Sequence, residues 1–204
     1  MKEGIPKKTV YRLSLYSRCL ERLGGEANET VSSEVLARVA GVKPTQLRKD
    51  LACCGHFGKR GLGYDVEQLR QHLAHTLGTA TLQPVILVGA GSLGSALLRY
   101  TGFAREGFEI VAAFDERPNH RIEGSDIAIY SMSELSTFIR TKKIKMAILC
   151  VPAPDAQDAA NQLIAAGIQA VLNFAPLVLQ VPEEVAVNNV NLAIELESLG
   201  YFIQ

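Results

Sequence analysis

One segment of this 204-residue chain indicates its fold more clearly than any other: Val85-Ile86-Leu87-Val88-Gly89-Ala90-Gly91-Ser92-Leu93-Gly94. Its first four residues are apolar, as in a buried strand, and its last six match the pattern G-x-G-x-x-G. In such a turn the glycines permit a tight bend, let backbone NH groups approach a pyrophosphate, and allow a helix to pack closely on the strand. We therefore predict a dinucleotide-binding turn at residues 89–94. The alternative is a glycine turn in an α/β fold that binds nothing.

An acidic residue follows at the distance that such a turn requires. Asp115 comes about twenty residues after the loop, at the end of a second apolar run, and there its carboxylate can accept hydrogen bonds from a ribose 2′-hydroxyl. A carboxylate also repels a 2′-phosphate, so NAD(H) is preferred over NADP(H). The nearby Arg117 weakens this preference.

Apolar runs alternate with helical patterns from Pro84 onwards. The predicted strands are residues 85–88, 110–114, 146–151 and 168–172, and the predicted helices are residues 93–103, 133–141 and 156–166. Strands that are apolar throughout are typical of burial on both faces, and their alternation with helices predicts a parallel sheet. The predicted fold class is therefore α/β, with a Rossmann-type doubly wound sheet.

Two predicted strand ends should border the same crevice as the glycine loop, because ligands of open α/β sheets bind beyond the carboxyl ends of the strands. We expect Val151 and Pro152, and then Asn173-Phe174-Ala175-Pro176, to lie along the nicotinamide half of a dinucleotide. The prolines have the alternative role of ending strands. At Cys150, beside the crevice, a buried inert thiol is favoured over a redox-active one.

The first eighty residues predict a small helical domain. Apolar residues at three- and four-residue steps give a first helix that ends at Gly24-Gly25. Ser32 or Ser33 can cap a short second helix, and Pro44 suits the first turn of a third helix that continues to Gly55. Two short helices around a glycine are typical of a helix-turn-helix motif.

The segment after the third helix predicts a wing. Phe57-Gly58-Lys59-Arg60-Gly61-Leu62-Gly63-Tyr64 is too rich in glycine for a helix and is flanked by aromatic residues, as a tight hairpin is. Asp65 and Gln68 can form a capping pair for a fourth helix. Residues 78–84 follow as a linker.

Polar and basic side chains of this domain are candidate contacts to double-stranded DNA. The N-terminal half of a recognition helix meets base edges in the major groove, where Arg48 can grip guanine or phosphate. Basic residues at the wing tip suit a minor groove. The candidates are Ser33, Lys43, Thr45, Gln46, Arg48, Lys49, Lys59, Arg60 and Tyr64. The alternative is a solvated basic face on a protein-docking domain.

Charge is divided unevenly between the two halves. Residues 1–80 hold 13 Lys/Arg and 8 Asp/Glu, a balance of +5, and the remainder holds 8 and 13, a balance of −5. A basic module joined to an acidic one suggests that only the first faces a polyanion. Random surface variation is the alternative explanation.

Several classes of protein are disfavoured by composition. No apolar run approaches the roughly 20 residues that span a bilayer, and no apolar segment of a secretory signal follows the N-terminal lysines. We therefore expect a cytoplasmic protein with no membrane contact. The four cysteines, Cys19, Cys53, Cys54 and Cys150, lack zinc spacing, so we expect reduced thiols and no metal site.

Catalysis is not predicted either. A dehydrogenase commonly moves a proton through a His or Lys near the nicotinamide. His56, His72 and His75 lie in the N-terminal module and His120 lies just past the second apolar strand, so none is well placed. Two rival classes remain open: a small NAD-dependent oxidoreductase with an accessory domain, and a CoA- or nucleotide-binding subunit of a larger ligase.

The last segment predicts a helix that is apolar on most of its circumference. One stripe consists of Leu192, Leu196, Leu199 and Ile203, and the opposite side is apolar too. Such a helix needs burial on two sides. The pattern alone does not distinguish this arrangement from a helix that caps its own sheet.

Taken together, these motifs make the chain resemble the Rex redox-sensing repressors over essentially its whole length. The resemblance rests on Val31-Ser32-Ser33, Gln46-Leu47-Arg48-Lys49-Asp50-Leu51, residues 55–64, the glycine loop, Tyr100-Thr101-Gly102-Phe103, Ala113-Phe114-Asp115 and Asn173-Phe174-Ala175-Pro176. It implies a transcriptional repressor that senses the NADH/NAD⁺ ratio, binds a palindromic operator with NAD⁺ or without ligand, and is released by NADH. It also implies a homodimer in which the C-terminal helix is swapped onto the partner.

The chain departs from the family pattern at several positions. Ser92 stands where the family usually has Asn, and an aromatic pair is usual near Cys53-Cys54. Asn191 replaces an Asp that, in the family, belongs to a switch network with a tyrosine, here Tyr100, and a helix-one arginine, here Arg18 or Arg12. We expect the lost charge to alter the NADH response but not the binding of DNA or nucleotide.

The sequence patterns predict a winged-helix DNA-binding domain at residues 1–78 and a Rossmann NAD(H)-binding domain at 84–190. The resemblance implies that residues 191–204 form a swapped dimerisation helix.

Overall fold

The computed structural model describes residues 4–23, 30–55, 57–58, 62–118 and 121–203. The chain forms two compact units that divide between Thr81 and Leu82.

The first unit is built from helices packed around one apolar core. Its helices are α1 (Lys7–Leu23), α2 (Ser33–Val39), α3 (Pro44–Ala52) and α4 (Val66–Leu77), and its strands are β1 (Thr30–Val31) and β2 (Tyr64–Asp65). Ser32 caps α2 by accepting from the NH of Val35, and Asp65 caps α4 by accepting from the NH of Gln68. The core takes the apolar faces of all four helices, including Leu13, Leu20, Leu36, Leu47 and Leu73.

One detail of this unit differs from the sequence prediction, and another was not part of it. Helix α3 ends at Ala52 rather than Gly55, because Cys53 and Cys54 continue the chain as a turn. Strand β2, which follows the predicted wing, pairs antiparallel with β1, the strand before α2. Gly63 permits this pairing, since its φ is +82° and a Cβ there would overlap the carbonyl oxygen of Val31. The predicted hairpin itself falls partly on residues 59–61, which lie outside the described ranges.

The second unit is a six-stranded parallel sheet, which confirms the predicted fold class. Its strands are β3 (Gln83–Val88), β4 (Phe108–Asp115), β5 (Ile129–Ser131), β6 (Met146–Leu149), β7 (Ala170–Asn173) and β8 (Ala186–Asn189). They lie in the order β5-β4-β3-β6-β7-β8. The order reverses between β3 and β6, and in doubly wound sheets such a reversal opens a crevice at the carboxyl ends of the strands.

Helices cover both faces of this sheet. They are α5 (Ser92–Leu98), α6 (Gly102–Arg105), α7 (Leu135–Lys142, after a 3₁₀ turn at Met132–Glu134) and α8 (Ala153–Ala166). Strand β3 alternates between two apolar cores, with Ile86 and Val88 in the core beneath α7 and α8, and Val85 and Leu87 in the core beneath α5. The single helix predicted at 93–103 is wrong, because the chain leaves helical geometry between α5 and α6.

The final helix, α9 (Leu192–Tyr201), buries none of its residues in the single chain. Leu196 is 68% exposed and Phe202, just beyond the helix, is 78% exposed. The helix therefore does not cap its own sheet, and its apolar surface is uncovered in the described chain.

Candidate functional site

The three glycines of the G-x-G-x-x-G segment at residues 89–94 are required for different structural reasons. Gly89 has a φ of +94°, and a Cβ there would lie 2.7 Å from the backbone of Cys150. Gly94 lies where α5 crosses the loop, and a Cβ there would overlap the carbonyl oxygen of Gly89. Gly91 is the N-cap of α5 and has open space where a Cβ would project. The first and last glycines shape the turn, and the middle one leaves room at the helix N-terminus, where anions bind.

Asp115 is fastened to this loop. One carboxylate oxygen accepts a hydrogen bond of 2.7 Å from the NH of Ala90, and the other accepts one of 2.9 Å from the NH of Arg117. Each oxygen of a carboxylate can accept a further hydrogen bond, so the group can still receive ribose hydroxyls. The loop and the carboxylate form one prearranged surface.

A cleft of about 1090 Å³ opens over this surface. Of the residues predicted to hold a nucleotide, it is lined by Gly89, Ala90, Gly91, Ser92, Asp115, Val151 and Pro152. Leu93 and Gly94 lie within α5 and do not line it. The cleft is also lined by residues that the sequence did not single out as ligand contacts: Glu116, Arg117, Pro118, Met132, Asp155, Asp158, Ala159 and Gln162.

The segment Asn173-Phe174-Ala175-Pro176 does not line this cleft. Asn173 is completely buried, and its amide group donates to the carbonyls of Ala175 and Leu177 and to Oδ1 of Asn189. Its own Oδ1 accepts from the NH of Ala175. These bonds give Asn173 a structural role at the end of β7, and a contact between this segment and nicotinamide stays a prediction.

Cys150 does line the cleft, but its chemistry is that of a protonated thiol. Burial raises its pKa to about 12. Because the thiolate is the reactive form of cysteine, this residue is a poor nucleophile at neutral pH.

Helix α3 presents one polar face to solvent. Thr45, Arg48 and Lys49 are exposed at three- and four-residue spacing, whereas Leu47 and Leu51 are buried on the opposite side. Lys43 is the N-cap residue, with no side-chain capping bond, and it too is exposed. This face has the geometry that a recognition helix requires.

Arg48 is oriented by the start of α2. Its Nη1 donates to Oγ of Ser33 at 2.7 Å and to a carboxylate oxygen of Glu34 at 3.2 Å. The exposed pair with Glu34 contributes little to stability but restricts where the guanidinium lies. Two predicted DNA contacts, Ser33 and Arg48, are thus brought together.

The remaining DNA candidates have varied surroundings. Tyr64 is only 8% exposed and belongs to the core, where its ring leaves little room for a side chain at Gly58. The structure therefore gives Tyr64 a packing role. Lys59 and Arg60 lie outside the described residues.

A buried carboxylate organises the polar side of the first core. Asp50 accepts hydrogen bonds from Arg12, Tyr16 and Gln46, and more weakly from Thr9. Burial alone would raise the pKa of Asp50, but the hydrogen bonds from Arg12, Tyr16 and Gln46 outweigh it and lower the pKa to about 2. Burial and the bond to Asp50 also raise the pKa of Tyr16.

This network includes two residues for which the sequence predicted other roles. Gln46, predicted to contact bases, already donates to Asp50 at 2.9 Å. Arg12, one of two candidates for the switch arginine, forms a bidentate pair with Asp50 at 2.6 and 2.7 Å. The sequence alone did not assign Asp50 this buried role.

The other switch candidates are accessible. Arg18 is exposed on α1, and Tyr100 is 58% exposed with its ring edge-on to Phe103 at 5.0 Å. Asn191 caps α9, because its Oδ1 accepts from the NH groups of Ala193 and Ile194. Their membership of a switch stays a prediction.

No cluster of His, Cys, Asp or Glu within the described ranges could hold a metal ion. Among the helices that the structure describes, none is long and apolar enough to cross a membrane.

Known proteins match both units of the chain. Residues 4–52 match the family "Putative DNA-binding protein N-terminus", and residues 81–177 match the family "CoA binding domain". The "Redox-sensing transcriptional repressor Rex" of Chloroflexus aurantiacus is 45% identical over 97% of this chain and 94% of its own length. The protein of the same name from Streptomyces coelicolor is 43% identical over 98% of this chain and 78% of its own length.

Two solved structures match nearly the whole chain. The crystal structure of RSP in complex with β-NAD⁺ and operator DNA matches with a TM-score of 0.92 and 36% identity, covering 99% of this chain and 94% of RSP. RSP in complex with β-NADH matches with a TM-score of 0.85 and 35% identity, covering 98% and 94%.

Proposed function

The chain belongs to the Rex family of redox-sensing transcriptional repressors, and on that premise we propose that it binds operator DNA and releases it when NADH occupies the cleft. The observation that carries the nucleotide half is the bond between Asp115 and Ala90, which aligns a ribose acceptor with a pyrophosphate-binding loop. The negative charge of Asp115 favours NADH over NADPH, and Arg117 acts against this preference through its own charge.

The DNA half of the proposal rests on the exposed face of α3. Arg48, held by Ser33, reads a base or grips a phosphate, and Thr45, Lys43 and Lys49 lie around it. Gln46 uses one amide N–H on Asp50, so only its other N–H and its Oε1 remain to contact a base. We retain Lys59 and Arg60 as backbone contacts from the wing.

We propose that the protein acts as a homodimer through α9. An apolar helix exposed on all sides in the single chain requires a cover, and the swap of this helix onto a partner supplies one. Arg18, Tyr100 and Asn191 are the residues through which we expect nucleotide state to affect DNA binding. Arg12 is less suited, because removing it from Asp50 would leave a buried charge unpaired.

We propose further that the protein has no catalytic turnover and works in the cytoplasm. Neither His nor Lys is among the described residues that line the cleft, and the thiol of Cys150 is protonated at neutral pH. The relatives are named as transcriptional repressors, not as oxidoreductases or ligase subunits.

The experiment combines a gel shift on palindromic operator DNA with titration of NADH by its own fluorescence. A repressor binds both ligands, and NADH weakens the DNA complex. An oxidoreductase would bind NADH without DNA and consume it when given a substrate. A ligase subunit would prefer CoA or another nucleotide, so either of these results would contradict the proposal.

A further inference from the structure

The cleft continues past Asp115, on the side where a nucleotide carries its base. If Asp115 meets the 2′-hydroxyl of the adenosine ribose, the base is attached at the neighbouring carbon and must lie within a few ångströms of that carboxylate. Beyond Asp115 the cleft is lined by Pro118, by Met132 before α7, and by α8. This part of the cleft is where the base belongs.

One stripe of α8 forms a wall there. Asp155, Asp158, Ala159 and Gln162 line the cleft at spacings of three, four and seven residues, which places them on one face of the helix. The opposite face, with Ala156, Ala160 and Leu163, is buried against the sheet. Met132 packs on the same core as α8, so it lies on the same side of the sheet.

The polar side chains of this wall form no hydrogen bonds within the described residues. Neither the carboxylate of Asp158 nor the amide of Gln162 has a hydrogen-bond partner among the described residues. Their neighbour Gln157 is different, because it bonds to Asn161 and to the backbone of Gln180. Asp158 and Gln162 thus present a free acceptor and a free amide beside the apolar surface of Met132 and Ala159.

We propose that Asp158 and Gln162 read the edge of the adenine base, an inference that rests on the proposed binding of NADH. The edge of adenine carries one donor, the 6-amino group, flanked by acceptor nitrogens. The carboxylate of Asp158 accepts from the 6-amino group, and the amide of Gln162 donates to a ring nitrogen. Met132 and Ala159 contact the faces of the ring.

Asp155 provides the matched comparison on the same wall. It lies in the first turn of α8, about one turn nearer to the strand end than Asp158. That position is closer to the expected pyrophosphate and farther from the base. Replacing Asp155 removes the same charge from the same helix without removing the proposed base contact.

The chemical probe is reduced nicotinamide hypoxanthine dinucleotide, which has a carbonyl oxygen in place of the 6-amino group and a hydrogen on the adjacent ring nitrogen, N1. A carboxylate repels that oxygen, whereas the amide of Asp158→Asn can donate to it. We expect the parent protein to prefer NADH to this analogue by roughly tenfold, as for one charge-assisted hydrogen bond. Asp158→Asn should lose or reverse the preference, and Asp155→Asn should keep it.

Calorimetric titration of the three full-length proteins with both dinucleotides measures the two affinities, and thermal unfolding of each variant checks its fold. Equal affinity of the parent protein for both dinucleotides would overturn the inference while leaving the proposed function intact. So would an equal loss of preference in the Asp155 and Asp158 variants, since that indicates a general charge effect. Failure of the parent protein to bind NADH at all would overturn both.

Discussion

The NH of Ala90 donates a hydrogen bond of 2.7 Å to the carboxylate of Asp115, 25 residues later in the chain. This bond joins the end of β4 to the glycine loop that follows β3. The group expected to hold a ribose and the loop expected to hold a pyrophosphate are therefore positioned together before any ligand binds. Such prearrangement reduces the entropic cost of binding.

Replacing Asp115 with Ala removes the ribose acceptor, the repulsive charge and the bond to Ala90 at once. We expect NADH affinity to fall by about 1.5–3 kcal/mol, as for a lost hydrogen bond to a charged group, and the preference for NADH over NADPH to narrow. Calorimetry with both dinucleotides measures each effect. Glu109→Ala, which removes an exposed charge from the same strand, is the control. An unchanged preference in Asp115→Ala would assign the selectivity to another residue.

Replacing Arg48 with Ala tests the recognition helix. We expect operator affinity to fall by about 1 to 3 kcal/mol and base preference to relax, if the guanidinium pairs with a base through two hydrogen bonds. Changes at Lys59 or Arg60 should weaken binding to all sequences more evenly and flatten its salt dependence. Arg70→Ala, on the exposed surface of α4 where Arg70 pairs with Glu67, is the matched control in gel shifts. Full operator binding by an Arg48/Lys49 double variant would show that α3 is not the recognition helix.

The network around Asp50 predicts an acid-sensitive first unit. The pKa of Asp50 is lowered to about 2 in the folded chain, below about 3.9 for an unfolded chain. Its contribution to stability is therefore present above about pH 4 and is lost as pH falls towards 2. Two pKa units correspond to about 2–3 kcal/mol. Urea unfolding of the parent protein and of Asp50→Asn should give a stability difference that shrinks over this pH range.

Arg12→Ala is the companion variant for that experiment. It leaves the carboxylate buried without its cation, which costs about 3–5 kcal/mol in comparable pairs. Arg18→Ala changes an exposed arginine of the same helix and should cost far less. Similar unfolding curves for the two variants would mean that the pair of Arg12 and Asp50 does not stabilise this unit.

Asn191→Asp tests the switch without disturbing the helix that it caps. Asn and Asp are equally good N-caps, so α9 should keep its stability while gaining a charge. Charge-assisted hydrogen bonds are roughly twice as strong as neutral ones. We expect the NADH concentration that releases operator DNA to change, with NADH binding in the absence of DNA unchanged. Superimposable release curves from gel shifts at fixed NAD⁺ would place Asn191 outside the switch.

Local patterns made much of the second unit predictable. The run of residues 85–94 specified a strand, a turn and a helix in succession, and continuous apolar strands implied a sheet buried on both faces. β5 and β8 were missed because they are short and lie at the sheet edges, where little apolar sequence is needed. The break before Gly102 was missed because helical periodicity continues across it.

Features that depend on distant residues were not predictable. Tyr64 pairs with Val31, more than thirty residues away in the sequence, and no local sequence pattern predicts this pairing. The burial of Asp50 depends on the packing of α1 against α3, which its polar sequence neighbours do not indicate. Asp158 and Gln162 belong to no motif in the sequence, and only the fold places them in the same cleft as the glycine loop.

Operator release by nucleotide, measured on the parent protein and on Gly91→Leu, shows whether NADH acts on DNA binding through this cleft. Gly91 has open space around it and an ordinary φ, so a leucine there should leave the fold intact while filling the pyrophosphate position. We predict that both proteins shift the operator, that NADH releases the parent protein at lower concentration than NAD⁺ does, and that neither nucleotide releases Gly91→Leu. Equal release by NADH and NAD⁺, or release of Gly91→Leu at the parent concentration, would contradict an NADH-sensing repressor that works through this cleft.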